Sequence, residues 1–233
     1  VVVSQLHRSP GIFFGHDRML RELAMYEYAW KHGVPTSHTA ALRVQHHFGP
    51  FCSGHLLKVR IENALNLEAY CSAIARGEVE MPDFERMSKA IAAAIRKMHD
   101  CGIYHADLNV KNILVRDSLQ GPEAFIIDFD RAQLMRRVPL DSRMANLLRL
   151  DRSILKWPGC RSVLTVSDRL RLVRDYLSEY PQWHRQWRTI VQAYRTHHYR
   201  HMLSYIFGGL LHRRGSAGQV GPPTAESEAG GAS

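Results

Sequence analysis

The sequence predicts an α+β fold in which a small mixed N-terminal portion precedes a mainly helical C-terminal portion. Two segments with helical apolar spacing end at glycines, two β-prone apolar runs follow the second of them, and the pattern from residue 142 onward is mostly helical. The chain has 233 residues, 45% of them hydrophobic and 23% charged. That composition is typical of soluble globular proteins and argues against global disorder or a fibrous repeat.

Two helices are predicted in the first hundred residues. Residues 17–32 have apolar side chains at intervals of three and four, and Gly33 ends this helix. Residues 83–100 have the same spacing, with Asp83 as the predicted N-cap and Gly102 as the terminator.

Two strands and a set of helices are predicted after Gly102. The strands are the apolar runs Ile113–Val115 and Phe125–Ile127, and we expect a loop at Gly121-Pro122 between them. Leucine and isoleucine then recur with helical spacing from residue 142 onward. The tail, residues 215–233, is rich in Gly, Ala, Ser and Pro, and we expect it to be disordered.

Basic residues are concentrated in one part of the chain. Residues 131–214 contain 17 Lys and Arg against five Asp and Glu, whereas residues 1–130 contain 14 against 15. Such an excess favours an anionic partner, and the alternative is a solvated basic surface. Few aromatic residues lie among the basic ones before Trp183, which argues against a nucleic-acid platform built on base stacking.

The sequence also limits the location of the protein. No apolar run approaches the ~20 residues of a membrane helix, and we expect no secretory signal, because no basic, apolar, small-residue sequence opens the chain. The four cysteines are far apart and form no C-x-x-C pair, which favours reduced thiols in the cytosol over a zinc site or disulfides. Because the chain opens at Val1 inside an apolar run, we expect further residues upstream.

Polar residues typical of phosphoryl transfer follow the second helix. A loop of sequence H-A-D-L-N-V-K-N covers residues 105–112, and Asp128 follows the second strand in the sequence D-F-D. Phosphoryl transfer requires Mg²⁺ held against the phosphates and a carboxylate that orients the acceptor hydroxyl. Mg²⁺ prefers oxygen ligands. Asn112 and Asp128 are therefore the predicted metal and nucleotide ligands, and Asp107 is the predicted catalytic carboxylate.

The joint spacing makes this interpretation specific. The interval from Asp107 to Asn112 matches the kinase pattern H-R-D-L-x-x-x-N, and Asp128-Phe129 matches the start of D-F-G. The alternative is that Asp107 and Asn112 only form turns and that Asp128 only caps a strand end. That alternative leaves the order and spacing of both motifs to coincidence.

At these residues the chain resembles the protein-kinase-like superfamily and, within it, the lipopolysaccharide core kinases, most closely the branch that phosphorylates 3-deoxy-D-manno-octulosonic acid (Kdo). Three motifs carry the resemblance: H-A-D-L-N-x-x-N from His105, I-D-F-D-R from Ile127, and N-L-L-R-L-D-R-S from Asn146. The resemblance spans roughly residues 8–160.

The resemblance extends to the first helix and to the fold. The segment with Arg18 and Glu22 is similar to the family's R-S-F-A-E helix, which implies that Glu22 contributes to nucleotide binding by pairing with a basic, phosphate-contacting residue. The implied fold is a protein-kinase-like two-lobe fold, with a reduced or truncated N-lobe over residues 1–63 and a helical C-lobe over residues 64–214.

The resemblance implies ATP and Mg²⁺ as cofactors and a Kdo-containing lipid A precursor as the acceptor. The implied activity is that of a phosphotransferase with an alcohol acceptor, in lipopolysaccharide biosynthesis. The implied location is the cytoplasmic side of the inner membrane of a Gram-negative bacterium, where the protein would bind peripherally at an anionic membrane surface. An anionic acceptor agrees with the basic character of residues 131–214.

The start of the chain departs from the family pattern. The family carries a nucleotide-covering loop and a basic residue on a strand before an R-G-G stretch. Here Arg8-Ser9-Pro10-Gly11 stands where R-G-G would be, and Ser4 stands about where the basic residue would be. The phosphate clamp could then use His7 or Arg8.

Several alternatives remain open at the level of sequence. The chain could be another small-molecule kinase, of the heptose or aminoglycoside type, or a non-catalytic kinase-like module that binds glycolipid. Asp130 could contact magnesium or pair with Arg131, and Lys111 could contact a phosphate or be solvated.

Overall fold

The N-terminal part of the chain forms an antiparallel sheet with β4 at its centre. The computed structural model describes residues 3–8, 13–14, 17–49, 51–80 and 83–180, which lie in the compact unit Val1–Trp183. The strands of this sheet are β1 (Val3–Arg8), β2 (Phe13–Phe14), β3 (Thr39–His46) and β4 (Phe51–Val59). All of the other three strands pair with β4, and each is antiparallel to it.

The predicted first helix is confirmed as α1 (Asp17–Lys31), which packs against this sheet. Its buried residues Met19, Glu22, Tyr26 and Ala29 recur at helical spacing on one face. Gly54 of β4 permits the close approach, because a Cβ built there would lie 1.5 Å from the Met19 sulfur. The helix is thereby held directly over the central strand.

The predicted second helix is confirmed as α3 (Phe84–Asp100), which follows β5 (Leu65–Asn66) and α2 (Leu67–Ala75). The Asp83 side chain accepts hydrogen bonds from two backbone N–H groups of its first turn, as predicted for an N-cap. At the other end, Gly102 has a φ of 84°, and a Cβ there would lie 2.2 Å from a backbone oxygen. Only glycine fits this turn.

A three-stranded sheet and a two-stranded sheet follow α3. Their strands are β6 (Ile103–Tyr104), β7 (Ile113–Ser118), β8 (Gly121–Ile126) and β9 (Gln133–Leu134), with β5 completing the larger sheet. The predicted loop at Gly121-Pro122 is wrong, because β8 begins at Gly121 and the turn lies at residues 119–120. Pro122 is tolerated because β8 is an edge strand, where a missing N–H need not break the ladder.

The described part of the chain ends with three helices, as the apolar pattern predicts. They are α4 (Leu140–Lys156), α5 (Pro158–Val163) and α6 (Val166–Leu177). α6 packs against α3, and a buried ion pair between Arg169 and Asp151, 2.7 Å long, links α6 to α4. None of the helices in the described ranges is both long and apolar enough to cross a membrane. The predicted helical region over residues 181–214 and the predicted disordered tail lie outside the described residues.

His99 lies at the centre of the helical packing and is fully buried. Its Nε2–H donates to the Asn146 side-chain oxygen at 3.0 Å, and its Nδ1 accepts from the Tyr176 hydroxyl at 2.7 Å. Burial lowers the pKa of His99 from 6.5 to about 4. The folded protein therefore holds a neutral imidazole that the unfolded chain protonates more readily.

We expect this group to destabilise the protein in acid. The pKa of His99 is lower in the folded protein than in the unfolded chain, which therefore binds the proton first as the pH falls. The free energy of unfolding is thus unaffected by His99 above pH 6.5 and decreases as the pH falls from 6.5 toward about 4. One such group changes the free energy of unfolding by up to ~1.4 kcal/mol per pH unit. Urea unfolding of the wild type and of His99→Gln across this range should show a flatter pH dependence in the variant. Replacing the exposed His38 by Gln should leave the slope unchanged, and equal slopes in wild type and His99→Gln would contradict the expectation.

Candidate active site

The predicted catalytic loop connects β6 to β7 and is held by its own hydrogen bonds. The buried side chains of Leu108 and Val110 anchor it in the core. The side-chain amides of Asn109 and Asn112 both donate to the Asp107 backbone carbonyl, each at 2.9 Å. The backbone around Asp107 is thus fixed, while its carboxylate is 46% exposed and accessible to a substrate.

The loop is joined to the end of β8 through His105, which is buried. His105 Nε2–H donates to the Ile127 carbonyl at 3.0 Å, and its Nδ1 accepts from the Asp107 N–H at 3.3 Å. Burial lowers the pKa of His105, so its ring is neutral and serves as a bridge. The Ile127 N–H also donates to the Asn112 carbonyl at 3.0 Å. The structure therefore joins Asp107 and Asn112 through hydrogen bonds to Ile127, the residue directly before Asp128.

Asp128 has an unusual backbone conformation. Its φ is +68°, and the only other described non-glycine residue with a positive φ is Asn63. Left-handed backbone costs a non-glycine residue roughly 1–2 kcal/mol, and such strain clusters at functional sites. The Asp128 N–H donates to the Tyr26 hydroxyl at 2.6 Å, which helps to hold this conformation.

The residues present fit a magnesium ion bound together with a nucleotide. The Asn112 side-chain nitrogen donates to the Asp107 carbonyl, so the side-chain oxygen of Asn112 is the atom that a cation could bind. Asp128 supplies a carboxylate, and one or two such ligands together with substrate phosphates are the usual protein environment of Mg²⁺. Within the described ranges no cluster of three or more His, Cys, Asp or Glu could hold a metal ion.

Glu22 pairs with a lysine that the sequence analysis did not single out. Lys58 of β4 contacts the Glu22 carboxylate at 3.0 Å and the Tyr26 hydroxyl at 2.8 Å. The sequence contains an indication of this role, because Lys58 is a charged residue within the otherwise apolar strand segment Leu56-Leu57-Lys58-Val59. The side chains of the earlier candidates His7 and Arg8 lie outside the part of the chain that the structure describes.

The two residues after Asp128 connect the site to α1. The Phe129 ring is 1% exposed and lies 5.0 Å from the Tyr26 ring and 5.6 Å from the His105 ring. Arg18 donates two hydrogen bonds to the Asp130 carboxylate, and the one from Arg18 Nε to Asp130 Oδ1 is 2.6 Å long. Asp130 thus forms an ion pair with Arg18 of α1, and its two alternatives from the sequence, a magnesium contact or a pair with Arg131, stay predictions.

The third motif of the sequence, residues 146–153, supports the catalytic loop from α4. Asn146 accepts from the His105 N–H at 3.3 Å and donates to the His105 carbonyl at 3.0 Å. Ser153 accepts from the Val110 N–H at 3.1 Å. Arg149 lies 3.6 Å from the Asp107 carboxylate. These are positioning contacts, and sequence reasoning had found the motif without a role for it.

Two further features lie close to the site. A cavity of about 730 Å³ separates α1 from residues 129–134, and both Arg18 and Asp130 line it. It adjoins the D-F-D motif but includes neither Asp107 nor Asn112. Lys111, for which a phosphate contact was one alternative, has its ammonium 4.1 Å from the centre of the Trp157 ring, in a cation–π contact.

Comparison with known proteins identifies relatives over most of the described chain. The model of the lipopolysaccharide kinase (Kdo/WaaP) family matches residues 3–176. The chain is 29% identical over 162 residues to the 3-deoxy-D-manno-octulosonic acid kinase of Vibrio cholerae, covering 70% of this chain and 63% of that protein. It is 36% identical over 173 residues to the protein of the same name from Xylella fastidiosa, covering 73% and 60%.

A third relative and a solved structure also match the chain. The 3-deoxy-D-manno-octulosonic acid kinase of Xanthomonas axonopodis pv. citri is 39% identical over 123 residues, covering 52% of this chain and 44% of that protein. The chain thus spans between 44% and 63% of the length of these three curated relatives. A structure of WaaP in complex with acyl carrier protein has a TM-score of 0.58, with 21% identity, and the match covers 79% of this chain and 76% of that one. At that identity, the match shows a shared fold.

Proposed function

The chain belongs to the lipopolysaccharide kinase (Kdo/WaaP) family, and we propose that it transfers the terminal phosphoryl group of ATP to a hydroxyl group of Kdo in a lipid A precursor. The observation that carries this proposal is the set of hydrogen bonds that joins Asp107 and Asn112 to Ile127, directly before Asp128. The Kdo kinases among its relatives support the choice of acceptor.

Each residue of the site has a distinct role in the proposed reaction. Asp107 accepts a hydrogen bond from the acceptor hydroxyl, orients it toward the phosphorus and takes up its proton. Asn112 and Asp128 hold Mg²⁺, which when bound neutralises the charge of the phosphates. Glu22 positions the basic group on β4. His105 remains neutral and keeps the loop attached to the strand end.

We assign the two-lobe arrangement as part of the same proposal. The N-lobe would comprise residues 1–63 and the C-lobe residues 64–214, with the nucleotide bound where α1 and β4 face the catalytic loop. The likeness to WaaP supports this arrangement. In this arrangement the helix with Glu22 belongs to the N-lobe, and the three motifs belong to the C-lobe.

The acceptor and the membrane surface are both expected to contact the basic C-terminal half. Several exposed arginines follow the D-F-D motif, among them Arg131, Arg136 and Arg137. Their charge complements the carboxylate of Kdo and the phosphates of lipid A. Peripheral binding at the cytoplasmic side of an inner membrane would bring these arginines to the anionic headgroups.

The alternative of a non-catalytic module has lost its supporting observation. The feature that favours a non-catalytic module is the start of the chain, where Ser4 stands about where the family carries its basic residue. Lys58 now provides one in contact with Glu22. A kinase of the heptose or aminoglycoside type would use the same catalytic residues. A direct comparison of phosphate transfer to the different acceptors therefore decides between them.

Transfer of labelled phosphate from ATP tests the proposal. The full chain with Mg²⁺ is incubated with a Kdo-lipid A precursor, with the same lipid lacking Kdo, with a heptosylated acceptor and with an aminoglycoside. We expect label only in Kdo-containing lipid. Label in a heptose or in the aminoglycoside would replace the proposed acceptor, and a folded chain that labels none of them would overturn the proposed function.

A further inference from the structure

We propose that Lys58 is the residue that contacts the nucleotide phosphates, so that the phosphate clamp of this chain is built on β4 instead of β1. This inference rests on the proposed function, because it assumes that ATP binds beside Asp128. It assigns a nucleotide-binding role to a residue that the sequence motifs do not include.

The first argument is the position of Lys58 in the sheet. β4 is the central strand, and Lys58 lies opposite Gln5 of β1 and Thr39 of β3. Gln5 directly follows Ser4, the position where the resemblance places a basic residue. A lysine at position 58 therefore supplies a positive charge at the same level of the sheet, from the adjacent strand.

The second argument is the set of groups around the ammonium. The Lys58 side chain is 12% exposed, and that of Glu22 is 4% exposed. A lysine ammonium has three N–H donors. Among the described residues, two acceptors contact it: the Glu22 carboxylate and the Tyr26 hydroxyl. The remaining donor can bind a phosphate oxygen while Glu22 holds the side chain in place.

The third argument is proximity to the proposed metal ligand. The Tyr26 hydroxyl accepts hydrogen bonds from both Lys58 Nζ and the Asp128 backbone N–H. One oxygen atom thus separates the ammonium from the backbone of Asp128. A phosphate held through magnesium at Asp128 would be close to this ammonium, and phosphoryl transfer requires positive charge at the phosphates.

The energetics of the pair also favour a ligand. Burying two charges costs several kcal/mol per ion, and apolar residues of similar size often stabilise a protein as well or better. The Tyr26 hydroxyl and the Glu22 carboxylate outweigh the effect of burial and raise the pKa of Lys58, so the lysine stays charged. A structural tie between α1 and β4 would not require that charge.

Affinity labelling gives a direct test that does not depend on turnover. An acyl-phosphate derivative of ATP transfers its acyl group to a lysine amine next to the phosphates, forming an amide and releasing ATP. Mass spectrometry of the labelled full chain should identify Lys58, and excess MgATP should suppress the label. Labelling at Lys111 in place of Lys58 would overturn the proposal.

Calorimetric binding of MgATP to variants provides the second readout. Lys58→Met keeps the length of the side chain and removes its charge, and we expect the dissociation constant to rise at least tenfold. Lys58→Arg should retain affinity within about threefold, because it keeps a charged donor. Arg43→Met, on β3 of the same sheet, is the matched control and should bind as the wild type does.

The outcomes separate this inference from the proposed function. The Michaelis constant for ATP should rise in Lys58→Met, while that for the acceptor stays within twofold. If the wild type binds MgATP and Lys58→Met, folded by circular dichroism, binds it equally well, the lysine is structural only and the inference fails while the proposed function stands. A wild type that binds no nucleotide overturns both.

Discussion

Replacing Asp107 by asparagine should lower the rate constant of phosphoryl transfer about 10³-fold and leave the affinity for MgATP within twofold. The asparagine keeps the size of the side chain, but it cannot take up the proton of the acceptor hydroxyl, and acid–base groups of this kind contribute 10²- to 10⁴-fold to rates. Single-turnover transfer to the Kdo acceptor and calorimetric binding of MgATP measure the two quantities.

The variant is expected to fold normally, which makes the loss of rate interpretable. The partner of Asp107 is Arg149 at 3.6 Å, and both side chains are more than 40% exposed. Exposed ion pairs contribute ~0–1 kcal/mol. The exposed Asp141→Asn in the first turn of α4 is the control and should keep full activity. An Asp107→Asn protein with more than a tenth of the wild-type rate would remove Asp107 from the catalytic role.

Replacing Asp128 by glycine should reduce transfer by at least ~10²-fold without a loss of stability. Removal of the carboxylate leaves Asn112 as the remaining proposed protein ligand of magnesium. Glycine relieves the backbone strain at a φ of +68°, worth roughly 1–2 kcal/mol, against a cost of roughly 0.5–1 kcal/mol from the greater freedom of the unfolded chain. The free energy of unfolding should therefore be unchanged or rise by about 1 kcal/mol.

Urea unfolding and the magnesium dependence of transfer measure these effects. Asp128→Asn, which also tolerates left-handed backbone, should lose activity to a similar degree and require more Mg²⁺ for half-maximal transfer. Asn63→Gly is the matched control, because Asn63 is the other described non-glycine residue with a positive φ and belongs to none of the three motifs. It should retain activity. A fully active Asp128→Gly would show that the carboxylate is not a ligand.

Local features of the sequence predicted the elements that carry the motifs. The helices α1 and α3 follow from apolar spacing with terminators at Gly33 and Gly102, and both are confirmed. These signals are local because a helix is closed by hydrogen bonds between residues four apart. The joint spacing of the loop and the D-F-D motif likewise predicted a kinase-like family, and the family match over residues 3–176 confirms it.

Other features depend on which distant residues meet, and the sequence pattern does not encode this. The predicted loop at Gly121-Pro122 is wrong because this dipeptide is a typical turn signal. In the structure both residues are extended, because they pair with β7 as part of the edge strand β8. The sequence offers magnesium or the neighbouring Arg131 as partners of Asp130, whereas the structure pairs it with Arg18, 112 positions away on α1.

The sequence by itself determined the family, the main helices and the catalytic candidates Asp107, Asn112 and Asp128, because each is specified by short-range spacing. The tertiary structure alone decided that Lys58 meets Glu22 and that Asn146 bonds to His105. These pairs are 36 and 41 positions apart in the chain. They depend on strand order, register and helix packing, which are properties of the whole folded chain.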